Sequence, residues 1–278
     1  MNKLRVAVLI TTFNRVQTTL RGLDGLHSAL TDVPEVVADV FLVDDGSTDG
    51  TGAAVARAYP AMHVILGSGS LYWNRGMCLA FAEARKAGPY DAYLLMNDDI
   101  QLSGDIRPFF EYFRRNRETL LAGAFTSEDH AHITYSGFNR PTRLRPLRLD
   151  TASLTGISTQ VDTVNGNFVL VPGELMERLG GLDPVYTHAL GDLDLGLRAR
   201  DLGASVEVFS DPLGVCAKGP TLTERLAARP RRERWAQSFG PIFGIRPYAH
   251  FVWRHGTRVL FPFYMAKALL ARLVYVLR

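Results

Sequence analysis

Over its first hundred residues the sequence alternates short apolar runs with helical patterns, and no other feature limits the fold as much. Val6 to Ile10 is an apolar run ended by "TTFNR". Leu20, Leu23, Leu26 and Leu30 follow at three- and four-residue spacing, which predicts a helix. Val40 to Val43 is the next run, ended by "DDGSTDGT", where Ser47 or Thr48 is placed to cap a helix through Tyr59. His63 to Leu66 comes third, before a Gly/Ser turn and a helix over Arg75 to Lys86. Ala92 to Met96 is the fourth run. Strand and helix at this spacing predict an α/β fold, a doubly wound and mostly parallel sheet with right-handed crossovers. Runs that are apolar almost throughout suit strands buried on both faces.

After residue 120 the rhythm changes. Leu120 to Phe125 reads as another strand, and "RPTRLRPLR" (140–148) as a Pro- and Arg-rich loop. "VNGNFVLVPGELMERLGG" predicts a strand and then a helix, with Pro172 near the helix start and Gly180 and Gly181 after its end. "GDLDLGLRARDLGASVEVF" predicts a helix that opens near Asp192 and stops at Gly203, followed by a strand.

With 47% hydrophobic and 21% charged residues, the 278-residue chain has ample material for a core. Its two cysteines, Cys78 and Cys216, lie far apart, so no disulfide framework is expected and a reducing cytosol is the default compartment. The apolar stretch of "MNKLRVAVLI" is too short for a signal peptide. Residues 229 to 278 hold ten Lys or Arg and one acid, Glu233, whereas the other 228 residues hold 21 basic and 27 acidic side chains. The basic balance therefore belongs to the tail, which points to an anionic partner surface.

Three apolar runs end in polar clusters: Thr11-Thr12-Phe13-Asn14, Asp44-Asp45 and Asn97-Asp98-Asp99. In open α/β sheets, ligands bind at the carboxyl ends of parallel strands. Adjacent carboxylates there repel each other and are costly to desolvate. A divalent cation held between them and a phosphate removes that objection, since Mg²⁺ and Mn²⁺ take one or two carboxylates plus substrate phosphates. Neither G-x-G-x-x-G nor a P-loop motif follows the first strand, so a nucleotide sugar is a better candidate than a dinucleotide or a nucleoside triphosphate.

The segments "VAVLITTFNR", "VFLVDDGSTDGT", "YLLMNDDI", "NGNFVLVP" and "GDLDLGLRAR", in that order, resemble the family 2 glycosyltransferases with their GT-A fold, from about Val6 to about residue 220. The resemblance implies a GT-A domain over 1–220 and a basic, aromatic-rich helical region over 221–278. It implies an inverting transfer from a nucleoside-diphosphate sugar, UDP- or dTDP-linked by preference, to a glycan or lipid-linked hydroxyl in cell-surface polysaccharide or glycolipid synthesis. Mg²⁺ or Mn²⁺ would sit on Asp99, in the final place of the metal motif, whose first Asp is replaced here by Asn97. Asp98 would reach the ribose or share the metal. Asp44 or Asp45 would accept the imide N–H of the base, beside Thr12, Phe13 and Asn14. The family's Glu-Asp base motif matches Gly191-Asp192, which makes Asp192 the catalytic base and leaves its Glu missing. A His that some relatives place after the next strand is also absent from "LGVCAKGP".

Around that core, Arg15 is placed to approach the diphosphate. Tyr72 and Trp73 are placed to line the donor pocket, and Asn74 and Arg75 to hold phosphate or ribose. Gly166, Asn167 and His188 are candidates for contact with the acceptor or sugar. The first-turn position of Asp192 favours its carboxylate form by roughly 0.3–1 kcal/mol, and Asp194 is expected to offset this by like-charge repulsion or to cap the helix. Val259 to Leu277 carries Pro262, Lys267 and Arg272, so an amphipathic helix in the plane of the inner leaflet is expected rather than a span. The alternatives for that helix are packing on the domain or against a second subunit in a homodimer. Nucleic acid is not an expected partner. Two rival readings are a catalytically inactive nucleotide-sugar-binding protein and a sugar-phosphate nucleotidyltransferase.

Overall fold

A computed structural model describes residues 3–217, 219, 230–240 and 244–277. Its first half is a regular alternation: β1 (Leu4–Thr12), α1 (Val16–Thr31), β2 (Val36–Asp44), α2 (Thr51–Ala58), β3 (His63–Leu66), α3 (Tyr72–Ala87) and β4 (Ala92–Asn97). Then come β5 (Gln101–Leu102), α4 (Arg107–Arg115), β6 (Thr119–Thr126) and the short strands β7 (Ile133–Tyr135), β8 (Gly137–Asn139), β9 (Asp150–Thr151), β10 (Ser158–Gln160) and β11 (Thr163–Val164). β12 (Phe168–Pro172), α5 (Gly173–Leu179), α6 (Gly191–Asp201) and β13 (Ser205–Val215) complete the sheet region. The described residues further on form α7 (Arg231–Phe239), α8 (Ile245–His255) and α9 (Phe261–Leu277).

The main sheet runs β10-β13-β6-β12-β4-β1-β2-β3, with β5 on β13 and β7 on β6. β3, β2, β1 and β4 are mutually parallel, and β13 is parallel to β6. β12 is antiparallel to both β4 and β6. The strand read at "NFVLVP" is therefore inserted backwards between β4 and β6, and β10, β5 and β7 also pair antiparallel. Periodicity alone does not reveal this, because a strand buried on both faces reads the same in either direction. A small second sheet runs β11-β8-β9.

Alternation along the strands divides the core. Val6, Val8 and Ile10 of β1 join Leu94 and Met96 under α1 and α4, where Leu23, Leu26, Phe109, Phe110 and Phe113 are all buried. Ala7 and Leu9 join Phe41, Tyr93 and Leu95 on the other face, under Met77, Ala80 and Phe81 of α3 and Leu195 and Ala199 of α6. This is the doubly wound arrangement expected from the sequence.

The cap expected from Ser47 or Thr48 is made differently. α2 starts at Thr51, and the Asp44 carboxylate at the end of β2 accepts the Ser47 N–H (2.9 Å) and the Gly52 N–H (2.9 Å). α3 begins at Tyr72, three residues before the expected start. The boundary expected between 220 and 221 lies outside the described residues. α8 packs on the body through Phe251, which is buried with Tyr186 and Leu197. Among the described residues no helix is long and apolar enough to cross a membrane.

Candidate active site

The parallel register aligns three strand ends, with Thr12 beside Asp44 and Thr11 beside Asn97. Two adjoining cavities open beyond them, of about 420 and 450 Å³. Thr12, Phe13, Arg15, Asp45, Tyr72, Asp98 and Asp99 line the first, and Asn165, Gly166, Asn167, Leu190 and Asp192 line the second. Trp73, Asn97, Tyr135 and His188 border both. A depression of about 510 Å³ is larger, but it lies beside Gly25 and Asp105, away from the strand ends.

The two carboxylates after β4 face different surroundings. Asp98 is buried, and its oxygens are taken by Thr12 Oγ1 (2.9 Å), Thr19 Oγ1 (3.2 Å) and Arg15 Nη1 (3.0 Å). Burial pushes its carboxyl up, against the opposing effects of Arg15 and Thr12. Asp99 is more open; its Oδ2 meets the same Arg15 nitrogen at 3.0 Å, and its Oδ1 lies 3.9 Å from Cys216 Sγ. The pairing of β5 with β13 brings Cys216 there, since Val215 stands opposite Gln101. Among the described residues no three His, Cys, Asp or Glu side chains form a cluster able to hold a metal ion. Among the described residues lining the first cavity, Asp99 is the most accessible hard carboxylate offered to a cation, with Arg15 already balancing its charge. That donor set suits Mg²⁺ or Mn²⁺ arriving with a diphosphate better than a permanently caged ion.

Several residues expected in the donor pocket are occupied elsewhere. Asp44 caps α2 and does not reach the cavity, whereas Asp45 lines it while accepting the Gly69 and Tyr72 N–H groups, each at 2.8 Å. Asn14 binds the neighbouring loop instead: its N–H donates to Ser47 Oγ (2.8 Å) and its Oδ1 accepts the Thr48 N–H (2.7 Å). Asn74 is fully buried and donates to the Asp183 and Tyr186 carbonyls, at 2.9 and 2.8 Å. Arg75 donates to the Pro184 carbonyl (3.0 Å). Asn74 and Arg75 sit in the first turn of α3, where the helix turns them towards 183–187 while Trp73 faces the cavities.

A polar chain forms the wall between the cavities. Trp73 Nε1–H donates to Asn97 Oδ1 (2.7 Å), Asn97 Nδ2 to Asn167 Oδ1 (3.0 Å), and Asn167 Nδ2 to Cys216 Sγ (3.3 Å). The Asn97 amide is thus spent on its neighbours. Tyr135, Asn165 and Leu190 went unforeseen in the sequence; Tyr135 lies in a three-residue strand, too short to carry a period.

Asp192 lies in the first turn of α6, as expected. Its Oδ2 accepts the Gly166 N–H (3.0 Å) and its Oδ1 the Leu193 N–H (2.8 Å). Burial raises its carboxyl above the usual range, against those two hydrogen bonds. Gly166 permits this packing, because a Cβ there would stand 2.5 Å from the Trp73 ring and 3.1 Å from Asp192 Cβ. A Cβ on Gly191 would fall 1.7 Å from Asn74 Oδ1, so the missing Glu has its place filled by Asn74. Asp194 does not push on Asp192. It is fully buried and bound by Arg198 Nε (2.6 Å), Arg254 Nη1 (2.9 Å), Tyr186 Oη (3.1 Å) and His255 Nε2 (2.8 Å). Burial works against its charge, but the His255 hydrogen bond and the two arginines hold its carboxyl well below the usual range.

Among the described residues four non-glycine residues adopt positive φ, and two of them line the cavities: Tyr72 (55°) and Leu190 (75°). Strained backbone of this kind clusters where ligands are clamped. Residues 7–163 match the family model described as glycosyl transferase family 2. The chain belongs to that family. No curated protein matches the chain in a sequence search. This family 2 glycosyltransferase is similar in structure to the mannosyltransferase PcManGT from Pyrobaculum calidifontis, solved with GDP-Man and Mn²⁺ (TM-score 0.51, 18% identity, 99% of this chain and 76% of that one). It is also similar to GalNAc-T7, solved with UDP, GalNAc and Mn²⁺ (TM-score 0.57, 14% identity, 97% and 58%). At these identities the likeness is one of fold, the GT-A fold.

Proposed function

We propose that the enzyme transfers a sugar, with inversion, from a nucleoside-diphosphate sugar to a hydroxyl of a glycan or lipid-linked acceptor. The observation that carries the reading is the pair of cavities sharing one wall. Asp99 and Arg15 stand on one side of Trp73, Asn97, Tyr135 and His188, and Asp192 on the other. Inversion needs this separation, since the leaving diphosphate and the incoming hydroxyl lie on opposite faces of the anomeric carbon.

In this reading the acceptor hydroxyl loses its proton to the Asp192 carboxylate as its oxygen bonds to the anomeric carbon. The bond from that carbon to the diphosphate oxygen breaks, and the nucleoside diphosphate leaves with both electrons. A base in this role contributes roughly 10²- to 10⁴-fold, and the raised carboxyl of Asp192 brings its basicity nearer neutral pH. Gly166 and Leu193 orient it through their N–H groups. Arg15 would balance diphosphate charge, and Asp45 would accept the imide N–H of uracil or thymine, which favours UDP- or dTDP-sugars. Asp99 would hold Mg²⁺ or Mn²⁺, which when bound supplies Lewis-acid stabilisation of the leaving group. Asn167 and His188 would contact the sugar or acceptor.

The first test is a thermal-shift series with UDP-, dTDP- and GDP-sugars, each with and without Mn²⁺. Stabilisation by one nucleotide class, dependent on the cation, supports the reading. Absence of stabilisation by every donor overturns it.

A further inference from the structure

We propose that the outer face of α9 lies on an anionic lipid surface. The helix has two apolar faces. Tyr264 and Ala268 are buried on one, with Met265 and Arg272 partly so, and α9 packs there on α7 and α8. That face is anchored: Tyr264 Oη donates to the Leu144 carbonyl (3.1 Å), and Arg272 donates to the Ser238 carbonyl (3.0 Å) and stacks over Tyr248. Phe263, Leu270, Leu273, Val274 and Leu277 recur at helical spacing on the opposite side, each between 41 and 66% exposed. Lys267 borders this stripe, four residues after Phe263 and three before Leu270, and is exposed. In the 3-10 turn before α9, exposed Arg258 stacks over half-exposed Trp253 beside Val259, which is 87% exposed.

Charge selects the occupant. Residues 234 to 278 contain seven Lys or Arg and no acid, and of these Lys267 and Arg258 stand exposed beside the stripe. A second copy of α9 would bring like charges together with no carboxylate to pair them. Acidic headgroups complement the cations while acyl chains take the stripe, the arrangement of an in-plane amphipathic helix. With 17 residues, interrupted by Lys267 and Arg272, α9 lies on the surface rather than crossing it. The anchor is rigid with the catalytic body, because Arg254 and His255 of α8 bind Asp194, two residues from Asp192.

The inference is independent of the donor and acceptor assignments, and its test uses no turnover. The full chain is sedimented with phosphatidylcholine vesicles and with vesicles rich in phosphatidylglycerol, at low and high salt. Wild type is expected to bind the phosphatidylglycerol vesicles, less so at high salt. Leu270→Glu with Leu273→Glu is expected to lower the partition constant at least about tenfold, and Lys267→Ala about fivefold. All three positions are exposed, so unchanged circular dichroism and melting temperature show that the variants are folded. Three outcomes overturn the proposal: no binding to anionic vesicles, equal binding by the double variant, or a wild-type dimer that the double variant dissolves.

Discussion

At the scale of single residues, chemistry in this enzyme is divided between carboxylates by their surroundings. Asp194 is fully buried and engaged, and Asp98 borders the first cavity only from a buried position held by Thr12, Thr19 and Arg15, whereas Asp99 and Asp192 are more open to a cavity. Replacing Asp192 by Asn keeps the side-chain shape and one of its two hydrogen-bond acceptors, turns the other into an NH2 donor, and removes the proposed base. It is expected to lower kcat by roughly 10²- to 10⁴-fold with little change in donor KM, read by steady-state kinetics with a saturating acceptor. A base in the proposed role must be ionised, so activity is expected to fall as pH falls through the raised pKa of Asp192. The acidic limb of the pH–rate profile should lie above the usual carboxylate range and be absent from residual Asp192→Asn activity. Asp194 has the opposite sign. Its folded pKa is depressed, so its stabilisation is present above the unfolded value and is lost as pH drops from the ordinary carboxylate value downwards. Asp194→Asn leaves Arg198 and Arg254 without their shared negative charge and with one acceptor oxygen fewer, and is expected to cost about 3–5 kcal/mol in denaturant unfolding at neutral pH.

At the scale of elements, the site depends on how α3 and α6 meet. Asn74 of α3 fills the volume that a side chain at 191 would need. Gly191→Ala should therefore destabilise the fold, and adding Asn74→Ala should recover part of the loss. The double-mutant cycle is expected to show a coupling of about 0.5–3 kcal/mol in chemical denaturation; strict additivity would mean that the two positions do not share the space. The longer strands, their order along the chain and the alignment of three polar ends were legible, because apolar period and turn chemistry are local signals, whereas β5 and β7 to β11 are too short to carry a period. The reversed β12 was not, since direction in a sheet is decided by long-range pairing. Nor was the assignment of Asp44 to α2 and Asp45 to the cavity. Asp44 closes β2 and Asp45 opens the turn after it, and only the folded turn shows which carboxylate reaches the cavity.

At the scale of the whole molecule, charge asymmetry has a structural counterpart. The basic tail delivers Arg254 and His255 into the acidic body at Asp194 and Asp183, with Arg254 Nη2 2.8 Å from Asp183. Removing residues 245–278 is expected to lower the melting temperature by several degrees, as about 1 kcal/mol already shifts a chain of this size by roughly 2–4 °C. The sequence showed a basic amphipathic tail but not its inner contacts, because nothing local in "VWRHG" names Asp194 as the partner. The proposed mechanism sets a cation–diphosphate side and a base side on either face of one wall. Its most direct test is titration calorimetry and donor turnover with a UDP- or dTDP-sugar and Mn²⁺, comparing Asp99→Ala with Asp192→Asn. Asp192→Asn should bind the donor as wild type does and lose at least about a hundredfold in turnover, while Asp99→Ala should lose cation-dependent binding. Donor binding that is lost in Asp192→Asn, or untouched in Asp99→Ala, would contradict the account.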